Sequence, residues 1–139
     1  MADGRARTLS GEAQPLRVLF VCTQNKLRSP TAEVTFREHP GWEVASAGTA
    51  RAAPAPLTRD LLEWADMAVC MEKRHRDWIR SKFRGALPDD RLLTLGIPDD
   101  YEFMEPELVA LLGRLVPSRL AGKFPREDEG PTASARSPG

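Results

Sequence analysis

The 139-residue chain predicts an α/β fold built on a doubly wound sheet of about four parallel strands. Three observations predict it. Short apolar runs alternate with stretches of helical composition, which implies a parallel sheet with right-handed crossovers. The first run, Leu16–Val21, closes on Cys22, and a short loop leads from there into Ser29-Pro30 and a helical stretch. That strand–loop–helix order is what a phosphate-binding turn needs. Finally, proline and glycine punctuate the joints at Pro40-Gly41, along 50–56 (ARAAPAP) and at Gly85.

Taken in order, Leu16–Val21 is interrupted only by Arg17 and reads as a strand buried on both faces. Ser29 is a preferred N-cap and Pro30 fits the first helical position, with Ala32 and Phe36 one turn apart on the packing side. That helix stops before Pro40-Gly41. Trp42–Ala45 reads as a second strand closing at Ser46–Thr49. Thr58 caps a helix through Leu61, Leu62 and Ala65. Met67–Met71 is a third buried strand. Glu72–Phe83 is a charged, exposed helix whose apolar side is Trp78 and Ile79. After a turn at Gly85–Asp90, Arg91–Leu95 makes a fourth strand and Ile97–Met104 an acidic loop. Pro106–Val116 is an amphipathic helix carrying Leu108, Leu111, Leu112 and Leu115, which Pro117 ends. Residues 1–15 and 121–139 lack periodicity and read as flexible tails, leaving 16–120 as the folded domain.

Lys+Arg and Asp+Glu balance at 20 each, so no global field steers nucleic acid or a membrane. No apolar run is long enough to span a bilayer, and Met1–Gln14 has no signal-peptide core. Two cysteines, Cys22 and Cys70, make no disulfide framework. A cytoplasmic, reduced protein is expected, with its oligomeric state left open. His39 reads as a surface turn residue, His75 as exposed or a helix-level contact among the charges of Lys73–Arg76, and Cys70 as core. No spacing of these residues supports a metal site, and no cofactor is expected.

The chemistry gathers in 22–29. A phosphate ester needs donors for its oxygens, an in-line nucleophile and a proton for its leaving group. A loop curled round an anion supplies backbone N–H groups, and the helix after it supplies a partial positive charge. Arg28 can bind two phosphate oxygens at once. The same donors favour a thiolate at Cys22, and Ser29 is placed to offer its hydroxyl proton to that sulfur. The proton for the leaving group has to come from elsewhere. The loop IPDDYEFM, with Asp99, Asp100, Glu102 and Glu105, lies after the fourth strand, and such loops converge on one crevice at the carboxyl ends of the strands.

At these residues the chain resembles the low-molecular-weight protein tyrosine phosphatase family, whose opening strand leads into the loop C-x-G-N-x-C-R-S-P and a helix. Cys22, Asn25, Arg28, Ser29 and Pro30 match that loop. Thr31-Ala32-Glu33, the SAGT of Ser46–Thr49 and the run Trp64–Ile79 extend the likeness over about 16–116. The resemblance implies a three-layer sheet in the flavodoxin-like order 2-1-3-4, with helices on both faces. It implies a metal-independent hydrolase acting through a cysteinyl-phosphate. Cys22 would be the nucleophile and Arg28 the phosphate clamp. The backbone amides of Thr23, Gln24, Asn25, Lys26, Leu27 and on to Ser29 would ring the phosphate, and Asn25 with Ser46 would hold the loop in shape. The family's D-P-[YF] motif aligns with Asp99-Asp100-Tyr101, making Asp99 the general acid, Asp100 its alternative and Tyr101 an aromatic wall.

Three departures bear on specificity. Gln24 replaces the loop glycine, Leu27 replaces the second loop cysteine, and Asp100 replaces the proline of D-P-Y. The stretch between the second and third strands is also short and lacks the family's H-x-A-R segment. The expected substrate is a phosphotyrosine protein. The alternatives are a nucleotide or an RNA terminal phosphate, arsenate reduction, and phosphate binding with weak turnover.

Overall fold

The computed structural model describes residues 15–123. Four parallel strands form one sheet: β1 (Leu16–Cys22), β2 (Trp42–Gly48), β3 (Met67–Cys70) and β4 (Leu92–Thr94), in the order β2-β1-β3-β4. This is the expected order. The helices are α1 (Arg28–Phe36), α2 (Arg59–Trp64), α3 (Lys73–Lys82) and α4 (Pro106–Lys123), with a 3-10 turn at Asp89–Arg91 before β4.

Side chains along β1 alternate between two cores, because successive residues of a strand point to opposite faces. Val18, Phe20 and Cys22 join Met67, Val69 and Met71 against Ala32 and Phe36 of α1 and Leu108, Leu112, Val116 and Leu120 of α4. Leu19 and Val21 join Ala68 and Cys70 against Leu62 of α2 and Ile79 of α3. A strand covered on both faces has no solvent side, which is why β1 and β3 read as continuous apolar runs. Aromatic packing is local: the Phe36 ring lies 5.3 Å from that of Trp42, and Trp78 meets Phe83 edge-on at 5.6 Å. His39, expected as a surface turn residue, is half-buried and stacks on Trp42 at 3.8 Å.

Several boundaries differ from expectation for physical reasons. Thr58 does cap α2, its hydroxyl accepting from the Leu61 N–H, but Ala65 is already extended. Helix α1 begins at Arg28, with Leu27 rather than Ser29 before it. Ser29 is drawn inside the first turn because its hydroxyl is engaged by the loop. Helix α4 runs through Pro117 to Lys123, past the expected stop and past residue 120. An interior proline costs about 3 kcal/mol. Beyond it, however, α4 still buries Leu120 on the stripe of Leu108, Leu112 and Val116, a gain of about 1.5–3 kcal/mol. Arg119 Nη1 also donates to the Thr94 carbonyl at 2.7 Å. Apart from residue 15 and residues 121–123, the expected tails lie outside the described residues. Among the described residues no helix is long and apolar enough to cross a membrane.

Candidate active site

At the carboxyl end of the sheet β1 gives way to the loop 23–27, and the neighbouring chain shapes it. Register pairs Cys22 with Gly48. The Thr49 N–H donates to the Cys22 carbonyl and the Ala50 N–H to the Thr23 carbonyl, both at 2.9 Å. These bonds use the loop's first carbonyls and leave its amides unspent. Among the described residues the N–H groups of Gln24, Asn25, Lys26 and Leu27 have no hydrogen-bond partner. Gly48 is required by this approach, since a Cβ there would stand 2.6 Å from the Thr23 carbonyl oxygen and 3.0 Å from the Asn25 nitrogen.

Asn25 turns the loop with φ of +55°, a left-handed conformation that asparagine adopts more readily than most residues. Its side chain locks the turn. Nδ2 donates to Ser29 Oγ at 3.0 Å and to Ser46 Oγ at 2.9 Å. The Ser46 hydroxyl in turn donates to Glu33 Oε1 at 2.6 Å. Ser29 Oγ also lies 3.0 Å from Cys22 Sγ. Because that oxygen already accepts from Asn25, the serine proton is free to face the sulfur. Cys22, Asn25, Arg28 and Ser29 are all buried, whereas Gln24 and Lys26 are exposed on the loop.

Arg28, 2% exposed, closes the loop. Nη1 donates to Glu72 Oε1 at 3.0 Å and to the Ile97 carbonyl at 2.7 Å, and Nε lies 3.6 Å from Asp99 Oδ1. The acidic loop is therefore brought to the end of the loop 23–27 by way of Asp99, which lies 71 residues beyond Arg28 in sequence. Asp100 is exposed, and Tyr101 packs half-buried on the core. A tether completes the approach: Thr31 Oγ1 donates to the Leu27 carbonyl at 2.6 Å and accepts from the Met104 N–H at 2.8 Å.

Glu33, Thr31, Gly48 and Glu72 do not stand out in the sequence as site residues, and of the two expectations for His75 the structure shows the helix-level contact. His75 is 1% exposed rather than solvated. Its Nδ1 accepts from the Glu72 N–H at 3.0 Å, so the neutral ring carries its proton on Nε2 and donates to Thr23 Oγ1 at 2.9 Å. Burial, with help from Arg28 and Arg74, pushes its pKa down to about 4. Burial also acts to raise the Glu72 pKa, but hydrogen bonds and charge from Arg28 and Arg74 outweigh it and hold the carboxyl below its ordinary value. Glu72 and His75 fall in a run of charges, and the signal that could have found them was the E-x-x-H spacing of a capping box.

No protein-family profile matches the chain. It is 33% identical over 93 residues to the protein-arginine-phosphatase of Bacillus subtilis, covering 48% of this chain and 62% of that protein, less than two thirds of its length. It is 30% identical over 105 residues to the protein-arginine-phosphatase of Geobacillus stearothermophilus, covering 58% and 70%. Among solved structures, the low-molecular-weight protein tyrosine phosphatase of T. tengcongensis superposes with a TM-score of 0.60 at 26% identity, covering 74% of this chain and 99% of that one.

Proposed function

The chain belongs to the low-molecular-weight protein tyrosine phosphatase family, and from that membership we propose that it hydrolyses phosphorylated protein side chains through a cysteinyl-phosphate on Cys22. The observation that carries this reading is the single cluster of Cys22, Ser29, unspent loop amides and the buried Arg28. In the first step the Cys22 thiolate attacks phosphorus in line. The S–P bond forms, the bond to the leaving atom breaks, and the Asp99 carboxyl gives that atom a proton. In the second step the Asp99 carboxylate takes a proton from water, whose oxygen attacks phosphorus. The S–P bond breaks, and the departing thiolate is received by the Ser29 hydroxyl proton. Arg28 and the loop amides hold the non-bridging oxygens throughout. The 3.6 Å approach of Asp99 to Arg28 supports Asp99 over Asp100 as the acid.

Two relatives are named for phosphoarginine, and the exposed carboxylates of Asp99, Asp100 and Glu102 suit a cationic leaving group. Phosphoarginine in a polypeptide is therefore the substrate put forward, with phosphotyrosine second. Arsenate reduction fits poorly: Cys70, the other cysteine, is fully buried, and burial pushes its thiol up to about 12.

The test is a panel of phosphoarginine and phosphotyrosine peptides, nucleotides and RNA terminal phosphates, run on wild type, Asp99→Asn and Asp100→Asn. Phosphoarginine peptides are expected to show the highest kcat/KM. Asp99→Asn is expected to lose about 10²-fold on poor leaving groups, with Asp100→Asn close to wild type. A panel led by phosphotyrosine overturns the substrate assignment, and equal losses in the two variants overturn the assignment of the acid.

A further inference from the structure

We infer that the first turn of α3 is a positioning element for the phosphate loop, with Glu72 setting the orientation of the Arg28 guanidinium and His75 fixing Thr23. The inference rests on the phosphatase reading of the loop.

Glu72 stands at the N-cap of α3, a place that serine, threonine, aspartate and asparagine fill best. It forms a capping box with His75: the Glu72 side chain accepts from the His75 N–H, and the His75 ring accepts from the Glu72 N–H. A shorter residue would cap as well. The extra length of glutamate lets Oε1 reach outward and accept from Arg28 Nη1 at 3.0 Å, while exposed Arg74 approaches the same oxygen at 2.7 Å. An ordinary cap has no need of a buried arginine 44 residues back in the chain.

The guanidinium is planar, and its position is set once one edge is tied. Here Nη1 is tied twice, to Glu72 and to the Ile97 carbonyl. Among the described residues Nη2 has no hydrogen-bond partner, and Nε has only the Asp99 carboxylate at 3.6 Å. The Nε–Nη2 edge is the pair of parallel donors that binds two phosphate oxygens at once. Glu72 thus holds one amino group so that the other edge presents to the anion. From the same turn, His75 Nε2–H grips Thr23 Oγ1 at 2.9 Å. One helical turn therefore holds the phosphate loop near both ends.

The alternative role for Glu72 is as a counter-ion that only neutralises Arg28, and the two roles predict opposite effects on anion binding. The experiment measures the Kd of inorganic phosphate by calorimetry, with kcat and KM for p-nitrophenyl phosphate, in wild type, Glu72→Ala and Glu72→Gln. A glutamine oxygen can still accept from Nη1 but carries no charge. A positioning role predicts that Glu72→Ala weakens phosphate binding about tenfold and lowers kcat/KM about 10²-fold, and that Glu72→Gln restores both to within about threefold. Phosphate binding in Glu72→Ala equal to or tighter than wild type overturns the inference, as does a Glu72→Gln variant no better than the alanine one. Glu72→Gln carries the test if Glu72→Ala fails to fold. A wild-type protein that neither binds phosphate nor turns over overturns the phosphatase reading together with the inference. An active wild type beside an unaltered Glu72→Ala overturns the inference alone.

Discussion

Cys22 and Cys70 lie on neighbouring parallel strands, with Cys70 in register with the residue before Cys22, and both are buried. They face opposite sides of the sheet. Cys22 belongs to the core under α1 and α4, at the point where β1 opens into a loop whose amides have no partner among the described residues. Its sulfur meets the Ser29 hydroxyl at 3.0 Å. Cys70 belongs to the core under α2 and α3, among Leu62, Ile79 and Leu92, and burial there raises its pKa to about 12. Burial alone does not decide what a cysteine can do. The difference lies in the groups that face the sulfur and in what the strand becomes after it.

The largest expected effect separates the two directly. Cys22→Ser should lose about 10³-fold or more in kcat, with native circular dichroism and phosphate binding retained. Cys70→Ser should keep its kcat and instead lose roughly 1–3 kcal/mol in urea melts, because a hydroxyl is left in an apolar core. Equal losses of activity in the two would erase the comparison.

A second pair of residues sharpens it. Gly48→Ala would press a methyl group against the Thr23 carbonyl oxygen and Ala53 Cβ, at 2.6 and 2.7 Å. The loop must shift, and a shift on the order of 1 Å costs about 10²-fold in kcat/KM. Gly113, in α4, has open space where its Cβ would stand, so Gly113→Ala should leave the rate alone and stabilise by roughly 1 kcal/mol. A Gly48→Ala enzyme with wild-type kcat/KM would show that the loop tolerates displacement.

A smaller effect comes from the neutral histidine under the loop. In the unfolded chain His75 titrates near 6.5, and in the folded protein near 4. Between those values the unfolded state binds a proton that the native state refuses, so stability is fully present above about 6.5 and is lost as pH falls to about 4. At about 1.4 kcal/mol per pH unit, the loss attributable to His75 is on the order of 3–4 kcal/mol at most. Besides burial, the charges of Arg28 and Arg74 act to lower this pKa and those of Glu72 and Asp99 to raise it. Chemical denaturation from pH 7.5 to 4 should show that slope in wild type and a shallower one in His75→Gln. Parallel slopes would remove His75 from the account.

That β1 and β3 are buried strands of a parallel sheet was legible in the sequence, because a strand covered on both sides must be apolar throughout, whereas the strand order was legible only through the family resemblance. Thr58 was legible as a cap because N-capping is local. Pro117 misled, since its local cost is offset by Leu120 reaching a distant core. The charges of Lys73–Arg76 concealed a buried histidine, because the partner that makes its burial tolerable, Thr23, is 52 residues away. Thr31 and Glu33 looked like ordinary helix residues for the same reason: their hydrogen bonds run to Met104 and Ser46. Gly48 could be seen as a strand end, while the backbone pressed against it could not.

The central claim is that the phosphoryl group passes through the Cys22 sulfur. Rapid acid quench during turnover of p-nitrophenyl phosphate, followed by peptide mapping, tests it most directly. Phosphate should be found on the peptide that carries Cys22, in wild type and, at higher occupancy, in Asp99→Asn, if the regenerated carboxylate activates the water of the second step. Turnover that proceeds with no phosphate on Cys22, and that survives Cys22→Ser, would contradict it.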